Sequence, residues 1–459
     1  MARCIGLDLG STSIKAAVLN LDSGQVERIA SRPFPAPSTP HPGWFEVDVP
    51  DVTGRVRGLL SELLRDAPDC DRLLTCGQMG GLTLVDSKGE PKSPYYSWRD
   101  QRALAAHPGG GSYFELLRKR LSEQDVNAIG RELRTGSTIT LLSWLVETAQ
   151  RPDDGLFPVT LVDAVLANLC ASPPVTEPTQ ALGLLQLLTH ERHAPLFDAA
   201  GVSNLAQSRI ATVEDVVGTC QIAGVSLRCH PAVGDQQAAM VGVGVQDDEL
   251  SVNCSTGSQV SRIATEVVPG DYQIRPYFGG RVINTLAHLP AGRSLNVLVD
   301  LLTELARAEG AELHQVWETI ASRSAAAPPG ELEVDLAFFS GPLGDHGRIG
   351  NITTENLNVG ALFRAAFRNM AENYRLCADR VSVGRPWSRA VLSGGLTNKL
   401  AVLRDMITQR LETPIRESQE TEETLAGLLK LARGPSTPIL VGSSRRALDQ
   451  VNRHQVNRQ

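Results

Sequence analysis

The chain has 459 residues, 42% of them hydrophobic and 21% charged, an ordinary globular composition with room for two cores of about 200 residues each. A net charge of −7 and a pI near 5.8 leave no basic face, which argues against a nucleic-acid partner. No apolar run approaches the roughly 18 residues of a membrane span, the first apolar run begins too early for a secretory leader, and the eight cysteines form no CxxC pair. A cytoplasmic protein with reduced, buried thiols is therefore expected.

In chain order, a predicted strand over 4–9 enters the turn Gly10-Ser11-Thr12 and leaves as a second β-rich run from Ile14. Such a hairpin turn offers backbone N–H groups and hydroxyls to an anion. Asp22-Ser23-Gly24 leads into a third strand over 26–31, and a proline-rich connection spans 33–42. Val52, Val56, Leu59, Leu60, Leu63 and Leu64 recur at helical spacing. A buried strand over 72–76 ends at Gly77-Gln78-Met79-Gly80-Gly81, and strand character resumes at 82–85 and at Tyr95-Tyr96. Residues 113–188 alternate helical segments with loops, as an insertion on the first sheet would. A strand over 231–235 ends at Asp235, and 236–244 is small and apolar enough for a closely packed helix.

The second half opens with the acidic turn Asp247-Asp248-Glu249. An apolar run over 250–254 then enters Ser255-Thr256-Gly257-Ser258, a second hairpin of the first kind. A long helix is predicted over 358–381, a strand over 389–392 running into Ser393-Gly394-Gly395-Leu396-Thr397-Asn398, a further helix after that, and a last one over 424–432. The expected division is a first domain over 1–244, a second over 245–435 and a polar tail over 436–459. Two anion-binding hairpins half a chain apart imply two related domains gripping a polyphosphate. The fold class is accordingly α/β: two actin-like (ribonuclease H-like) ATPase domains, mixed sheets flanked by helices, with a deep cleft between them.

Phosphoryl transfer needs a cradle for the triphosphate, a metal, and a base or orienting group for the accepting hydroxyl. No GxxxxGK[ST] motif occurs, so the cradle falls to Gly10, Ser11, Thr12, Thr256, Gly257 and Ser258. Lys15 on the outgoing strand joins them as a phosphate ligand, although a lone lysine there equally suits a solvated charge. Asp8, at the end of the first strand, can serve Mg²⁺, which prefers oxygen ligands and keeps several waters. Asp235 stands where a strand gives way to a helix and is the candidate base; the same position also suits a helix cap. Gly394 and Gly395 let a purine lie close to the backbone, with Asn398 to read its edge. Gln78, Met79, Trp98 and Asp100 follow first-domain strands and offer a polyol an apolar surface and hydrogen-bonding groups. His41, His107, His230 and His346 show no metal-ligand spacing.

Together these residues resemble the FGGY carbohydrate kinases over about residues 3–434. The resemblance is carried by the GLDLGSTSIKAA opening, Pro42-Gly43-Trp44 with Glu46 and Asp48, and Gly77-Gln78-Met79. It continues through Trp98-Arg99-Asp100, the block from Val233 to Ala239, Ser255-Thr256-Gly257-Ser258 and Ser393-Gly394-Gly395-Leu396-Thr397-Asn398. It implies ATP- and Mg²⁺-dependent phosphorylation of a sugar hydroxyl, with Asp235 as base, Asp8 serving metal and phosphate, and Gln78, Met79 and Asp100 touching the sugar. The partners implied are small molecules, a sugar and ATP, with neither nucleic acid nor membrane; a homodimer is left open. The stretch from Arg275 to Arg281 with Ala291-Gly292-Arg293 looks most like the sedoheptulokinase branch, with xylulokinases next. Departures occur at Gly80-Gly81, where relatives commonly read His-Gly, at Thr176-Glu177 and at Leu169-Cys170-Ala171-Ser172. Loss of the histidine is expected to widen one pocket wall and favour a seven-carbon ketose. An actin-like ATPase without a sugar substrate and a sugar-sensing regulator are the competing readings.

Overall fold

A computed structural model describes residues 2–382 and 384–434, so the expected polar tail lies outside the described residues. The first sheet contains β1 (Arg3–Leu9), β2 (Ser13–Asn20), β3 (Gln25–Pro33), β4 (Arg72–Gly77), β5 (Gly218–Ile222), β6 (Val225–Cys229) and β7 (Val233–Gly234). Its order is β5-β6-β4-β1-β2-β3, with β7 pairing β4. The second sheet contains β8 (Glu249–Asn253), β9 (Ser258–Ala264), β10 (Gln273–Pro276), β11 (Val282–Leu289), β12 (Arg389–Ser393) and β13 (Ile415–Glu417), in the order β10-β11-β9-β8-β12-β13. The plan repeats. A hairpin, β1–β2 or β8–β9, continues antiparallel into a third strand, while its first strand pairs in parallel with a later one, β4 or β12.

Parallel pairing needs long crossovers, and helices fill them. Helix α1 (Val49–Asp66) starts earlier than its apolar spacing suggests because the Asp48 side chain accepts from Asp51 N at 3.1 Å and Pro50 fits the first turn. With α2 (Leu161–Cys170) it covers one face of the first sheet, packing Val52, Val56, Leu59, Val162 and Val165 on Ile5, Leu7 and Ile14. The expected insertion is present: helices Tyr113–Lys119, Glu123–Ala128 and Thr138–Glu147 gather a separate core around Leu117, Leu142, Trp144 and Phe197.

The small-residue helix α3 (Asp235–Val243) lies between the two sheets. Ala238 faces Leu74, Cys76 and Val233 of the first sheet, while Met240 and Val243 face Ile263, Ile283 and Val391 of the second. Helices α4 (Gly292–Ala308) and α5 (Val359–Val381) cover the outer face of the second sheet, with Leu295, Phe363, Phe367 and Met370 on Leu250, Val252 and Val260. After β12 comes the short α6 (Gly395–Lys399). The last helix, α7 (Glu423–Arg433), returns to the first sheet, where Leu425, Leu428 and Leu429 meet Ala17, Leu19 and Leu74. Among the described residues no helix is long and apolar enough to cross a membrane.

Helices α3 and α7 approach so closely that only glycine fits at the contact. A Cβ on Gly242 would sit 1.9 Å from the Glu423 carbonyl oxygen, and one on Gly427 1.8 Å from that of Ala238. Gly427→Val must push the helices apart and is expected to destabilise the protein by about 1–3 kcal/mol or more. Chemical denaturation of the two proteins checks this, and an unchanged midpoint would mean the helices are not in contact.

Candidate active site

Between the sheets lies a cavity of about 800 Å³. Ser11 and Thr12 reach it from the β1–β2 turn, Thr256, Gly257 and Ser258 from the β8–β9 turn, and Gly394, Gly395 and Asn398 from the start of α6. Lys15, Gln78, Met79, Trp98 and Asp235 complete the set of expected residues that line it. Gly10 belongs to the same first turn, its carbonyl 3.4 Å from Gln78 Nε2. Asp8, like Gly10, is not on the cavity wall, and Asp100 is held away from the cleft. Asp100 is fully buried, accepting from Arg102 Nε and Nη2 at 2.9 Å each and from Phe45 N at 2.8 Å. A buried carboxylate must be paired, and Arg102, stacked against Trp44, Tyr96 and Trp144, holds this one inside.

Asp8 ends β1 opposite Lys15, directly under the first turn. Its Oδ2 accepts from Thr424 Oγ1 at 2.7 Å, whereas Oδ1 is buried without a protein donor. Burial pushes its pKa up to about 6, against the hydrogen bond from Thr424 and the charge of Lys15. An enclosed carboxylate oxygen lacking a donor fits a cation. Among the described residues no cluster of three or more His, Cys, Asp or Glu side chains could hold a metal. That donor set suits Mg²⁺, which takes one or two carboxylates and fills its shell with water and phosphate.

Asp235 is the first residue of α3, where the helix dipole favours an anion. Its Oδ1 accepts from Gln236 N at 2.7 Å. Burial first, and the charge of Asp8 second, push its pKa up to about 7. Its backbone is fixed from several sides. Gly234 N donates to Thr179 Oγ1 at 3.0 Å, and Thr179 N donates to Glu177 at 2.7 Å. Gln180 Nε2 ties Gly77 O at 3.2 Å to Val233 O at 3.3 Å. Gln236 Nε2 donates to Ser261 and Thr285 of the second sheet at 2.9 and 3.1 Å.

The start of α7 enters the site unannounced by the sequence. Glu422 pairs with Lys15 at 2.6 Å, Thr424 bonds Asp8, and Glu423 accepts from Gly394 N at 3.1 Å. The other end of the cleft gains Glu132, Arg134, Arg275, His288 and Arg293. His288 arrives through a β-bulge: Leu286 and Leu289 of β11 pair with Val260 and Ser258 of β9, so two residues oppose one. Its φ of +60° is unusual for a side-chain-bearing residue, and its ring stacks on Trp98 with centroids 5.4 Å apart.

The profile of the FGGY family of carbohydrate kinases, N-terminal domain, matches residues 3–242. The chain belongs to this family. A relative, autoinducer-2 kinase of Photorhabdus laumondii, is 23% identical over 463 residues, covering 92% of this chain and 84% of that protein. Xylulose kinase of Staphylococcus xylosus is 25% identical over 193 residues, covering 40% of this chain and only 37% of that protein. Among solved structures, gluconate kinase from Lactobacillus acidophilus superposes with a TM-score of 0.79 at 18% identity, covering 95% of this chain and 90% of that one. Glycerol kinase of Plasmodium falciparum with ADP gives 0.78 at 14% identity, covering 100% and 98%. The two-domain kinase fold is thus shared.

Within this FGGY chain the glycine replacing the usual histidine does not open a wall. Gly80 has φ +80°, where a histidine is strained, and a Cβ there would meet Trp98 Cβ at 3.4 Å. The imidazole on that wall comes instead from His288 of the second sheet, so the expectation of a longer sugar loses its steric basis. Thr424→Val would leave Asp8 Oδ2 without its donor, a loss expected to cost about 1–3 kcal/mol. Thermal unfolding of the unliganded protein measures it, and an unaltered midpoint would show that the bond does not form in solution.

Proposed function

We propose that the protein phosphorylates a hydroxyl of a ketose-like polyol with ATP and Mg²⁺, Asp235 acting as general base. The observation that carries this reading is the carboxylate of Asp235 at the start of α3, in one cavity with both phosphate-type turns, and burial that pushes its pKa up to about 7 supports it. A base is most effective when its pKa lies near the working pH.

In this reading the triphosphate lies between Ser11-Thr12 and Thr256-Gly257-Ser258, with the adenine against Gly394, Gly395 and Asn398. Asp8 would hold Mg²⁺, directly or through water, and the ion would supply charge neutralisation to the phosphates. The face of Trp98 covers the sugar's C–H groups, and Gln78 meets a hydroxyl. Asp235 takes the proton of the accepting hydroxyl as that oxygen attacks the terminal phosphorus and the bond from that phosphorus to the β-phosphate oxygen breaks, releasing ADP. Sedoheptulose remains a candidate acceptor and D-xylulose the alternative, the latter supported by relatives and structural neighbours named xylulose kinases. A sugar-independent ATPase has no use for Trp98 beside a buried base.

Release of ADP with a panel of ketoses tests the reading, and ATP consumption that no acceptor stimulates would sink it. Asp235→Asn is expected to lower kcat by roughly 10²- to 10⁴-fold while nucleotide affinity holds. The base must be ionised, so kcat/KM falls as pH drops. Asp8 and Asp235 interact, so the acid limb belongs to the pair, with an apparent pKa between about 6 and 7. A profile flat down to pH 5 would remove Asp235 from this role. For Asp8→Asn, calorimetric titration of Mg²⁺ into the nucleotide complex should show weaker binding; equal affinity would place the metal elsewhere.

A further inference from the structure

We infer that the acceptor carries an anionic group, bound at the end of the cleft where Arg134 and Arg275 meet Trp98 and His288. This narrows the acceptor of the kinase reading above and rests on that reading.

The argument starts from charge balance. Four arginines line the cavity: Arg99, Arg134, Arg275 and Arg293. Arg293 stands beside the second phosphate turn, its N donating to Thr256 O at 2.9 Å, and its guanidinium lies 3.6 Å over Phe339, a place that faces a triphosphate. Arg134 and Arg275 are different, because their elements bring them to the sugar end. Arg275, on β10 and 5% exposed, donates from Nε to Glu132 Oε1 at 2.6 Å and also to Gln236 Oε1. Arg134 Nε lies 3.4 Å from the other oxygen of the same glutamate. One carboxylate therefore serves two guanidiniums. Among the described residues no other acidic side chain pairs with either.

Asp235, which feels the charge of Arg275 across the cavity, offsets part of the surplus, leaving Arg99, Arg134 and Arg275 against two carboxylates. His288, exposed to the cleft and with its pKa pushed down by desolvation and then by Arg134 and Arg275, supplies no anionic charge. Enclosure also lowers the pKa of Arg134 despite Glu132. Arg99 adds a further cation whose Nε is buried without a partner. A neutral ketose needs a balance of donors and acceptors, and it would leave the one guanidinium in excess of Glu132 and Asp235 uncompensated in a partly dry pocket, which is costly. A carboxylate or phosphate oxygen pair matches the guanidinium fork. Gln236, which receives Arg275, adjoins the base Asp235, so a polyol can span from the anion site to the reacting hydroxyl. The ligand class is a polyhydroxylated chain with one anionic group, either a sugar acid or a sugar phosphate.

The test is ADP release by the full chain with ATP and Mg²⁺, comparing sedoheptulose and D-xylulose with D-gluconate and D-fructose 6-phosphate. An anionic acceptor is expected to exceed both neutral ketoses at least tenfold in kcat/KM, and which of the two wins tells carboxylate from phosphate. Arg134→Gln should raise KM for that acceptor by roughly ten- to a hundredfold, with Arg134→Lys recovering part of the loss and melting curves confirming that both variants fold. Calorimetric binding of gluconate and xylulose to the unsubstituted protein gives the same ranking without any variant. If a neutral ketose is preferred and Arg134→Gln leaves its KM unaltered, the inference is overturned while the kinase reading stands. If no acceptor stimulates ADP release, the kinase reading itself fails.

Discussion

The two-helix layer formed by α3 and α7 is the constraint on which the site depends. Its members come from the middle and the far end of the chain, yet they touch through Gly242 and Gly427 with no side chain between. That contact sets the start of α3, and hence Asp235, at one end of the layer, and delivers Glu422, Glu423 and Thr424 to the same end. From there the start of α7 reaches Lys15 and Asp8 of the first hairpin, and Gly394 beside the second. One close helix pair therefore registers two sheets, two phosphate turns and the base. At the other end of α3, Arg416 donates to the carbonyls of Val243 and Gly244 at 3.2 and 2.9 Å, a cation at the helix terminus that favours one.

Electrostatics in this cleft is built on proximity of like charges. Burial raises the pKa of both Asp8 and Asp235; the charge of Asp8 raises that of Asp235, and Glu422 that of Asp8. Ionising them together without a counter-charge is unfavourable, so the empty cleft resists the state that catalysis needs. A divalent cation held near Asp8, as proposed, would reverse this, because its charge would favour both carboxylates. The proposed metal would thus help set the ionisation of the base as well as neutralise phosphate, which couples the readiness of Asp235 to the arrival of nucleotide.

Much of the fold was legible because the decisive signals are local. Glycine and hydroxyl residues at the ends of apolar runs mark the two hairpins, and small residues after Asp235 mark a helix that must pack on both sides. The long helix α5 falls within a residue of its apolar pattern, with Asn358 as its cap. What the sequence did not disclose depends on long-range pairing. Asp100 follows Trp98 on the same loop, but Arg102 two residues on claims its carboxylate and holds it inside. Thr424 looks like any first-turn helix residue until α7 is known to pack on the first sheet. Arg134 and Arg275 lie 141 positions apart and become a pair only through Glu132. His288 is hidden in a strand, and nothing in the residues around it announces a bulge.

That bulge explains how one family plan can change what it accepts without disturbing the transfer machinery. The phosphate turns and the base are tied into both sheets by backbone and buried side-chain bonds, so substitutions there propagate. His288, Arg134 and Arg275 instead reach the cleft from a bulge, an insertion and an edge strand of the second sheet. Edges and bulges tolerate exchange better than central strands. The missing histidine after Met79 and the imidazole supplied from β11 are one instance: the same ring chemistry enters from the second sheet, held over Trp98 by a backbone conformation that costs about 1–3 kcal/mol and persists only because the surrounding bulge fixes it. In the proposed reading, recognition of the acceptor is in this way separated, residue by residue, from the chemistry done to it.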